Sequence, residues 1–141
     1  MMEKKFIRLF DKINFLLEES LDIQGALRDK CTHFVDGLNK LFTTDYLMED
    51  DQNNEYLDQI PAADLLMEYW MTQDKYFTGD PIDTKEKLSG ITHSILCVFD
   101  GCAGVNDFNF IKIKENGKII NRSDELHELW ARYRRERKEE K

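Results

Sequence analysis

The sequence predicts a mainly α-helical single domain, a bundle of about five helices with one small β-hairpin near residues 108–121. Three observations support this fold class. Apolar residues recur at three- and four-residue spacing in several segments, as on the buried face of an amphipathic helix. Only two prolines and seven glycines occur in 141 residues, too few for the dense turns of a β-sandwich or barrel. An Asn-Gly pair between two β-prone runs marks the hairpin.

The first two helices are predicted from amphipathic patterns at the start of the chain. Residues 3–21 place their apolar side chains on one stripe, and Phe15 lies almost opposite that stripe. A second helix is expected to begin after Asp22, which would act as its N-cap, and to end near Phe42. Each helix therefore has one face suited to a shared core.

The middle of the chain is less regular. Residues 43–60 are polar and acidic, and we predict a loop with one short helix at residues 44–49. Residues 50–54 are typical of an exposed loop tip. Pro61 suits the first turn of a third helix, which is expected to end near Phe77, because a residue in that turn does not need its N–H for a helical hydrogen bond.

Three more elements complete the predicted fold. Thr84 is expected to cap a fourth helix, whose apolar residues cover most of its circumference, as in a central bundle helix. The hairpin follows, with Asn116-Gly117 as its turn. Asn121 or Ser123 would then cap a last helix. Residues 134–141 contain no apolar side chain, so this charged end is predicted to fray.

The charge of the chain is unevenly distributed. The formal net charge is −8, which argues against a general nucleic-acid binder because such proteins cluster Lys and Arg to neutralise phosphates. Between Lys40 and Lys75 there are nine Asp or Glu residues and no Lys or Arg. Residues 132–141 carry six basic and three acidic side chains. The acidic character is therefore concentrated in one stretch.

Cysteine usage and hydropathy indicate a cytoplasmic protein without a membrane partner. The three cysteines, Cys31, Cys97 and Cys102, form no CxxC pair, which suits reduced thiols better than a disulfide framework. No apolar segment approaches the roughly 20 residues that a membrane span needs. The first residues lack the continuous apolar segment of a secretory signal.

The acidic stretch is the first candidate functional surface, because aromatic and methionine side chains interleave with its carboxylates. Such side chains supply contact area in protein interfaces, while the carboxylates steer a basic protein partner. We therefore expect an interaction module of the immunity, antitoxin or adaptor kind rather than an enzyme. The candidate contact residues are Tyr46, Asp50, Asp51, Glu55, Tyr56, Asp58, Met67, Trp70 and Met71. A core role for Trp70 and the two methionines is the competing interpretation.

The second candidate site centres on the fourth helix. His93 and Cys97 share a helix face at i, i+4 and are candidate metal ligands. No second paired motif accompanies them, so a core cysteine beside a hydrogen-bonded histidine is the simpler interpretation, and no metal, cofactor or catalytic residue is predicted. An enzyme or small-ligand site near His93, Cys97 and Asp100 is the alternative function. A homodimer whose acidic stretch only adds solubility is a third interpretation.

Part of the sequence resembles a known pattern. The run Ser94-Ile95-Leu96 leads to Asp100-Gly101, an aromatic-rich strand follows at Phe108–Ile113, and Leu126–Leu129 comes last. This outline over residues 88–130 resembles a family of small bacterial proteins of unknown function. The resemblance implies a compact intracellular domain and brings no activity with it.

Overall fold

The computed structural model describes residues 2–73, 81–101, 110–123 and 125–139. Over these residues the chain forms five helices and one four-stranded antiparallel sheet, which confirms the mainly helical fold class. The elements in chain order are α1 (Lys4–Leu21), α2 (Leu27–Thr44), β1 (Leu47–Asp50), β2 (Tyr56–Leu57), α3 (Ala63–Met71), α4 (Pro81–Asp100), β3 (Ile111–Glu115), β4 (Lys118–Ile119) and α5 (Leu126–Glu139). Among these helices, none combines the length and apolar character needed to cross a lipid bilayer.

The apolar stripe of α1 is buried as predicted. Phe10 lies at the centre of an aromatic group, with its ring centroid 5.6 Å from that of Trp130 and 5.5 Å from that of Tyr133. Each large apolar side chain that is fully buried contributes about 1.5–3 kcal/mol to folding. Phe15, on the opposite side of the helix, is 70% exposed.

The junction between α1 and α2 corrects the prediction that Asp22 caps the second helix. Asp22 instead ends α1, where its backbone N–H donates to the Glu19 carbonyl. Gly25 then takes a φ of +135°, a conformation that favours glycine, and delays the start of α2 to Leu27. The first turn of α2 is capped from within, because the Asp29 carboxylate accepts the backbone N–H of Ala26 at 3.0 Å.

The predicted short helix at residues 44–49 is wrong. Residues 47–50 form β1, which pairs with β2 on one side and with β3 on the other. The register places Met48 opposite Ile113, and both side chains are fully buried against the helices. Long-range pairing and burial therefore decide the conformation of this segment. Of the predicted exposed tip at residues 50–54, residues 51–54 are exposed, whereas Asp50 is half-buried and ends β1.

The Asn-Gly hairpin is confirmed and belongs to a larger sheet. Asn116 and Gly117 have φ values of 53° and 81°, the positive values that a two-residue hairpin turn requires. The strand order is β2-β1-β3-β4, so the hairpin supplies half of the sheet. Residues 108 and 109 of the predicted hairpin lie outside the described residues.

Two helix boundaries differ from the predictions. Pro61 precedes α3, which begins at Ala63 after Ala62 takes a left-handed φ of 60°, and residues 74–77 of the predicted third helix lie outside the described residues. α4 already begins at Pro81, so Thr84 lies inside the helix and is not its N-cap. As predicted, α4 occupies the centre of the bundle and contacts the other helices and β3.

The last helix is held at both ends by other elements. Asn121 does not cap it, because its amide accepts the Ile113 backbone N–H at 2.7 Å and donates to the Ile111 carbonyl at 3.0 Å. Residues 134–139, which the sequence predicts to fray, are helical. Arg137 donates to the Asp11 carboxylate on α1, which explains the order of this end. Residues 140 and 141 lie outside the described residues.

Candidate functional site

The nine predicted contact residues of the acidic stretch divide between the core and the surface. Tyr46 is fully buried beside Phe42, and Met67 is 8% exposed, so these two side chains are not available to a partner. Both belong to the core because they occupy the inner faces of the α2–β1 junction and of α3. Trp70 and Met71 are partly buried and also pack against the core. The remaining five are Asp50, Asp51, Glu55, Tyr56 and Asp58.

Several carboxylates of the acidic stretch are neutralised within the molecule. Lys114 on β3 lies 2.7 Å from Glu49, and Lys112 on the same strand lies 3.2 Å from Asp51. Asp50 accepts the backbone N–H of Gln52 at 2.9 Å and so holds the turn after β1. On α3, Glu68 pairs with Arg28, which keeps the pKa of the Glu68 carboxyl below its usual value.

Three other carboxylates remain exposed. Glu55, Asp58 and Asp64 have no ion pair with any cation of the described residues. The same length of chain exposes three large apolar side chains, with Tyr56 57%, Leu65 60% and Tyr69 55% exposed. We call residues 55–69 the acidic segment.

Leu65 and Tyr69 are exposed residues of this segment that are absent from the nine predicted contact residues. The two residues are four apart on α3, so they lie side by side on its exposed face, next to Asp64. The helical period could have indicated their exposure. Ala63, Leu66 and Met67 follow that period and alone form the buried face of the nine-residue helix α3.

The second candidate site lies where α4 meets α5. Asp100 is 2% exposed and ends α4. Its carboxylate accepts the backbone N–H groups of Leu126 at 3.1 Å and His127 at 2.9 Å, so it caps the N-terminus of a different helix. Its Oδ2 atom also lies 2.5 Å from His127 Nδ1, which fixes the orientation of that ring. The sequence interpretation did not identify this contact between Asp100 and α5.

His93 and Cys97 are neighbours, as their spacing predicts. His93 Nδ1 lies 3.9 Å from Cys97 Sγ, and the His93 ring meets the His127 ring edge-on at a centroid distance of 5.6 Å. Burial and the nearby His127 lower the pKa of His93, so its imidazole is neutral at pH 7.

Metal binding and thiol catalysis gain no support from this arrangement. Within residues 2–73, 81–101, 110–123 and 125–139, no three His, Cys, Asp or Glu side chains converge as metal ligands. Cys102 lies outside this set. Burial raises the pKa of Cys31 to about 11, so this thiol is protonated at neutral pH and is a poor nucleophile.

A cavity of about 300 Å³ opens beside His93, between α3, α4 and α5. Two indole side chains border it, Trp70 from α3 and Trp130 from α5, and α4 provides its floor at Gly90. We call it the tryptophan pocket. Its lining residues are Trp70, Glu86, Ser89, Gly90, His93, Trp130, Ala131 and Arg134.

A larger cavity of about 690 Å³ lies between α1 and α2, and it shares no lining residue with the tryptophan pocket or the acidic segment. The exposed Phe15 forms part of its wall, and Gly37 allows α2 to approach Leu16 closely. Four carboxylates and two lysines are among the residues that line this cavity.

Comparisons with protein-family models, with curated proteins and with solved structures give no match for this chain. The resemblance of residues 88–130 to small bacterial proteins therefore stays a prediction.

Proposed function

We propose that this chain is a cytoplasmic protein-interaction module that binds a basic protein partner through the acidic segment. One observation carries the proposal. Three exposed carboxylates without a described cation, Glu55, Asp58 and Asp64, occur in the same 15 residues as three exposed apolar side chains. This combination supports binding better than it supports a structural role, because none of the three carboxylates has a described ion pair.

The two kinds of side chain have different tasks in such an interface. Exposed carboxylates attract a basic partner over a distance of about one Debye length and raise the rate of association. Leu65 and Tyr69 supply apolar area that becomes buried on contact, and tyrosine is among the residue types that dominate binding energy. Salt should therefore slow association, while loss of the apolar pair should speed dissociation.

The structure shows which substitutions are suitable for testing this function. Asp50 and Asp51 are unsuitable, because the first holds a turn and the second pairs with Lys112. The charge variant is Glu55→Gln with Asp58→Asn and Asp64→Asn, and the apolar variant is Leu65→Ala with Tyr69→Ala. Matched controls lie on other faces of the molecule, Asp36→Asn for charge and Phe15→Ala for an exposed aromatic side chain.

The experiment is affinity purification from the organism that encodes the chain, followed by kinetics with the purified partner. We expect a basic protein whose association rate falls about tenfold in the charge variant and with rising salt. The apolar variant should weaken binding by at least about 2 kcal/mol, and both controls should bind as the unaltered chain does.

Two results would contradict the proposal. The first is a partner that binds the charge and apolar variants as tightly as the controls. The second is a homodimer in light scattering that the Leu65→Ala and Tyr69→Ala changes convert to a monomer, because the acidic segment would then face a second copy of itself.

A further inference from the structure

We infer that the tryptophan pocket binds a small planar aromatic carboxylate, with Arg134 as the partner of the carboxylate group. This site shares no residue with the acidic segment, so the inference is independent of the proposed function. It depends on three features of the pocket, which are its fixed aromatic walls, its sheltered cation and its size.

The walls are held in place by hydrogen bonds, and Trp130, which is 1% exposed, also packs against Phe10 and Tyr133. Trp70 Nε1 donates to Ser94 Oγ at 2.8 Å, and Trp130 Nε1 donates to the Ser89 carbonyl at 3.3 Å. Trp70 also lies directly on α4, since a Cβ added at Gly90 would come within 2.7 Å of its ring. A pocket whose walls are already ordered loses little conformational entropy when a ligand enters.

Arg134 provides the charge that selects an anion. Its side chain is only 13% exposed, and its nearest carboxylate oxygen among the described residues, on Glu86, is 3.9 Å away. The guanidinium also donates to Asn14 Oδ1 at 3.4 Å and lies 5.9 Å from the centre of the Trp130 ring. Other arginines of the protein are paired more closely, for example Arg8 with Glu115 at 2.6 Å. A sheltered guanidinium whose nearest described carboxylate is 3.9 Å away can still bind a ligand carboxylate, because its planar donors match the two oxygens.

The end of the pocket opposite Arg134, together with the pocket volume, limits the rest of the ligand. α5 runs antiparallel to α4, so Arg134 lies near Glu86 and His93 lies about 10 Å further along α4. The neutral His93 offers one hydrogen bond and no charge. A volume of about 300 Å³ is at the lower end for ligand pockets. A ligand of one or two fused rings with a single carboxylate fits these limits.

Intrinsic fluorescence provides a direct test, because the chain has two tryptophans and both border the pocket. The probe is phenylacetate, and phenylacetamide is its uncharged match. We expect phenylacetate to change the tryptophan emission in a saturable way and to bind at least about fivefold more tightly than the amide. Arg134→Gln should remove this difference while the amide still binds. Arg132→Gln, a change at an exposed arginine of the same helix, should preserve it.

Other outcomes would overturn the inference. These are a fluorescence change that does not saturate up to about 10 mM probe, equal affinity for acid and amide, or an unchanged preference in Arg134→Gln. Circular dichroism checks that Arg134→Gln is folded. If it is not, Arg134→Lys serves instead, because it keeps the charge and removes the two-pronged donor, and we expect it to reduce the preference by about half. An unchanged preference in a folded Arg134→Lys protein would also contradict the inference.

Discussion

The α4–α5 junction and the acidic segment use polar side chains in opposite ways. At the junction, Asp100 is buried and its carboxylate accepts hydrogen bonds from Leu126 and His127. In the acidic segment, Asp58 and Asp64 are exposed and have no ion pair with a described cation. The carboxylate of Asp100 is therefore needed by the fold, whereas those of Asp58 and Asp64 are not.

Burial accounts for this difference between the two regions. A buried acceptor that is removed leaves its donors unpaired in the interior, which costs free energy of folding. An exposed carboxylate that is removed is replaced by water at little cost. Substitutions in the two regions should thus produce effects of very different size, and the predictions below are ordered by that size.

The largest effect is expected from Asp100→Ala. This change leaves the Leu126 and His127 backbone N–H groups without their cap and removes the partner of the His127 ring. Together these losses should lower the free energy of unfolding by about 3 kcal/mol. Urea denaturation followed by circular dichroism measures the change. Asp36→Ala, at an exposed position on α2, is the matched control and should change it by less than about 0.5 kcal/mol.

Hydrogen exchange locates the effect of the Asp100 substitution. The first turn of α5 should lose protection before the rest of the bundle does, because its amides are the ones that Asp100 caps. Equal stability of Asp100→Ala and Asp36→Ala would remove the contrast between the two regions.

Gly90→Ala should have a smaller but still negative effect. In an unobstructed helix, alanine is more stable than glycine by about 1 kcal/mol. Here the new Cβ would lie 2.7 Å from the Trp70 ring, and displacing a packed ring costs about 1–3 kcal/mol. We expect a net loss of about 1 kcal/mol together with a shift in tryptophan emission. The stability loss caused by Gly90→Ala should shrink when Trp70→Leu is added, since the side chain facing the new Cβ is then smaller. A stabilising Gly90→Ala would show that the Trp70 ring does not lie against Gly90.

The pH dependence of stability should also distinguish the two regions. Because burial lowers the pKa of His93 below its usual value of 6.5, the unfolded chain binds a proton more readily than the folded chain does. The stability associated with neutral His93 is therefore complete above pH 6.5 and is lost as the pH falls below it. We expect the unaltered chain to lose more stability between pH 7 and pH 5 than His93→Gln does. A steeper loss in the variant would reverse the sign and contradict the burial of this ring.

The two hairpins show how much of the fold the sequence can predict. Asn116-Gly117 predicts the second hairpin, because a two-residue turn needs positive φ at both positions. Few residue pairs meet this local requirement. The hairpin of β1 and β2 has no such turn, and its few apolar residues stand among polar and acidic ones without a clear period. β1 exists because it pairs with β3, which is more than 60 residues away, and a local pattern contains no information about that partner.

The candidate sites follow the same division between local and long-range information. The neighbourhood of His93 and Cys97 was predictable, since helical spacing alone places i and i+4 side by side. The tryptophan pocket was not, because Trp70, Gly90 and Trp130 come from three helices that only the tertiary fold brings together. The burial of Tyr46 was equally hidden, since an aromatic residue in an acidic stretch suits a core and an interface equally well.

The smallest effect on stability is expected from the charge variant Glu55→Gln, Asp58→Asn and Asp64→Asn. These carboxylates have no described ion pair, and their removal reduces repulsion in a chain of net charge −8. The free energy of unfolding should change by no more than about 0.5 kcal/mol, because the lost interaction of Asp64 with the N-terminus of α3 opposes this gain. Glu49→Gln is the contrasting control. It should cost about 1 kcal/mol, because Glu49 is 9% exposed and bonded to Lys114.

This last measurement also tests the basis of the proposed function. A carboxylate that the fold does not use is free to serve a partner, and the proposal requires that all three carboxylates be of this kind. A loss of more than about 1 kcal/mol in the charge variant would mean that they stabilise the fold. Weaker partner binding by that variant would then reflect an altered structure, and the apolar pair Leu65 and Tyr69 alone would remain as evidence for an interface.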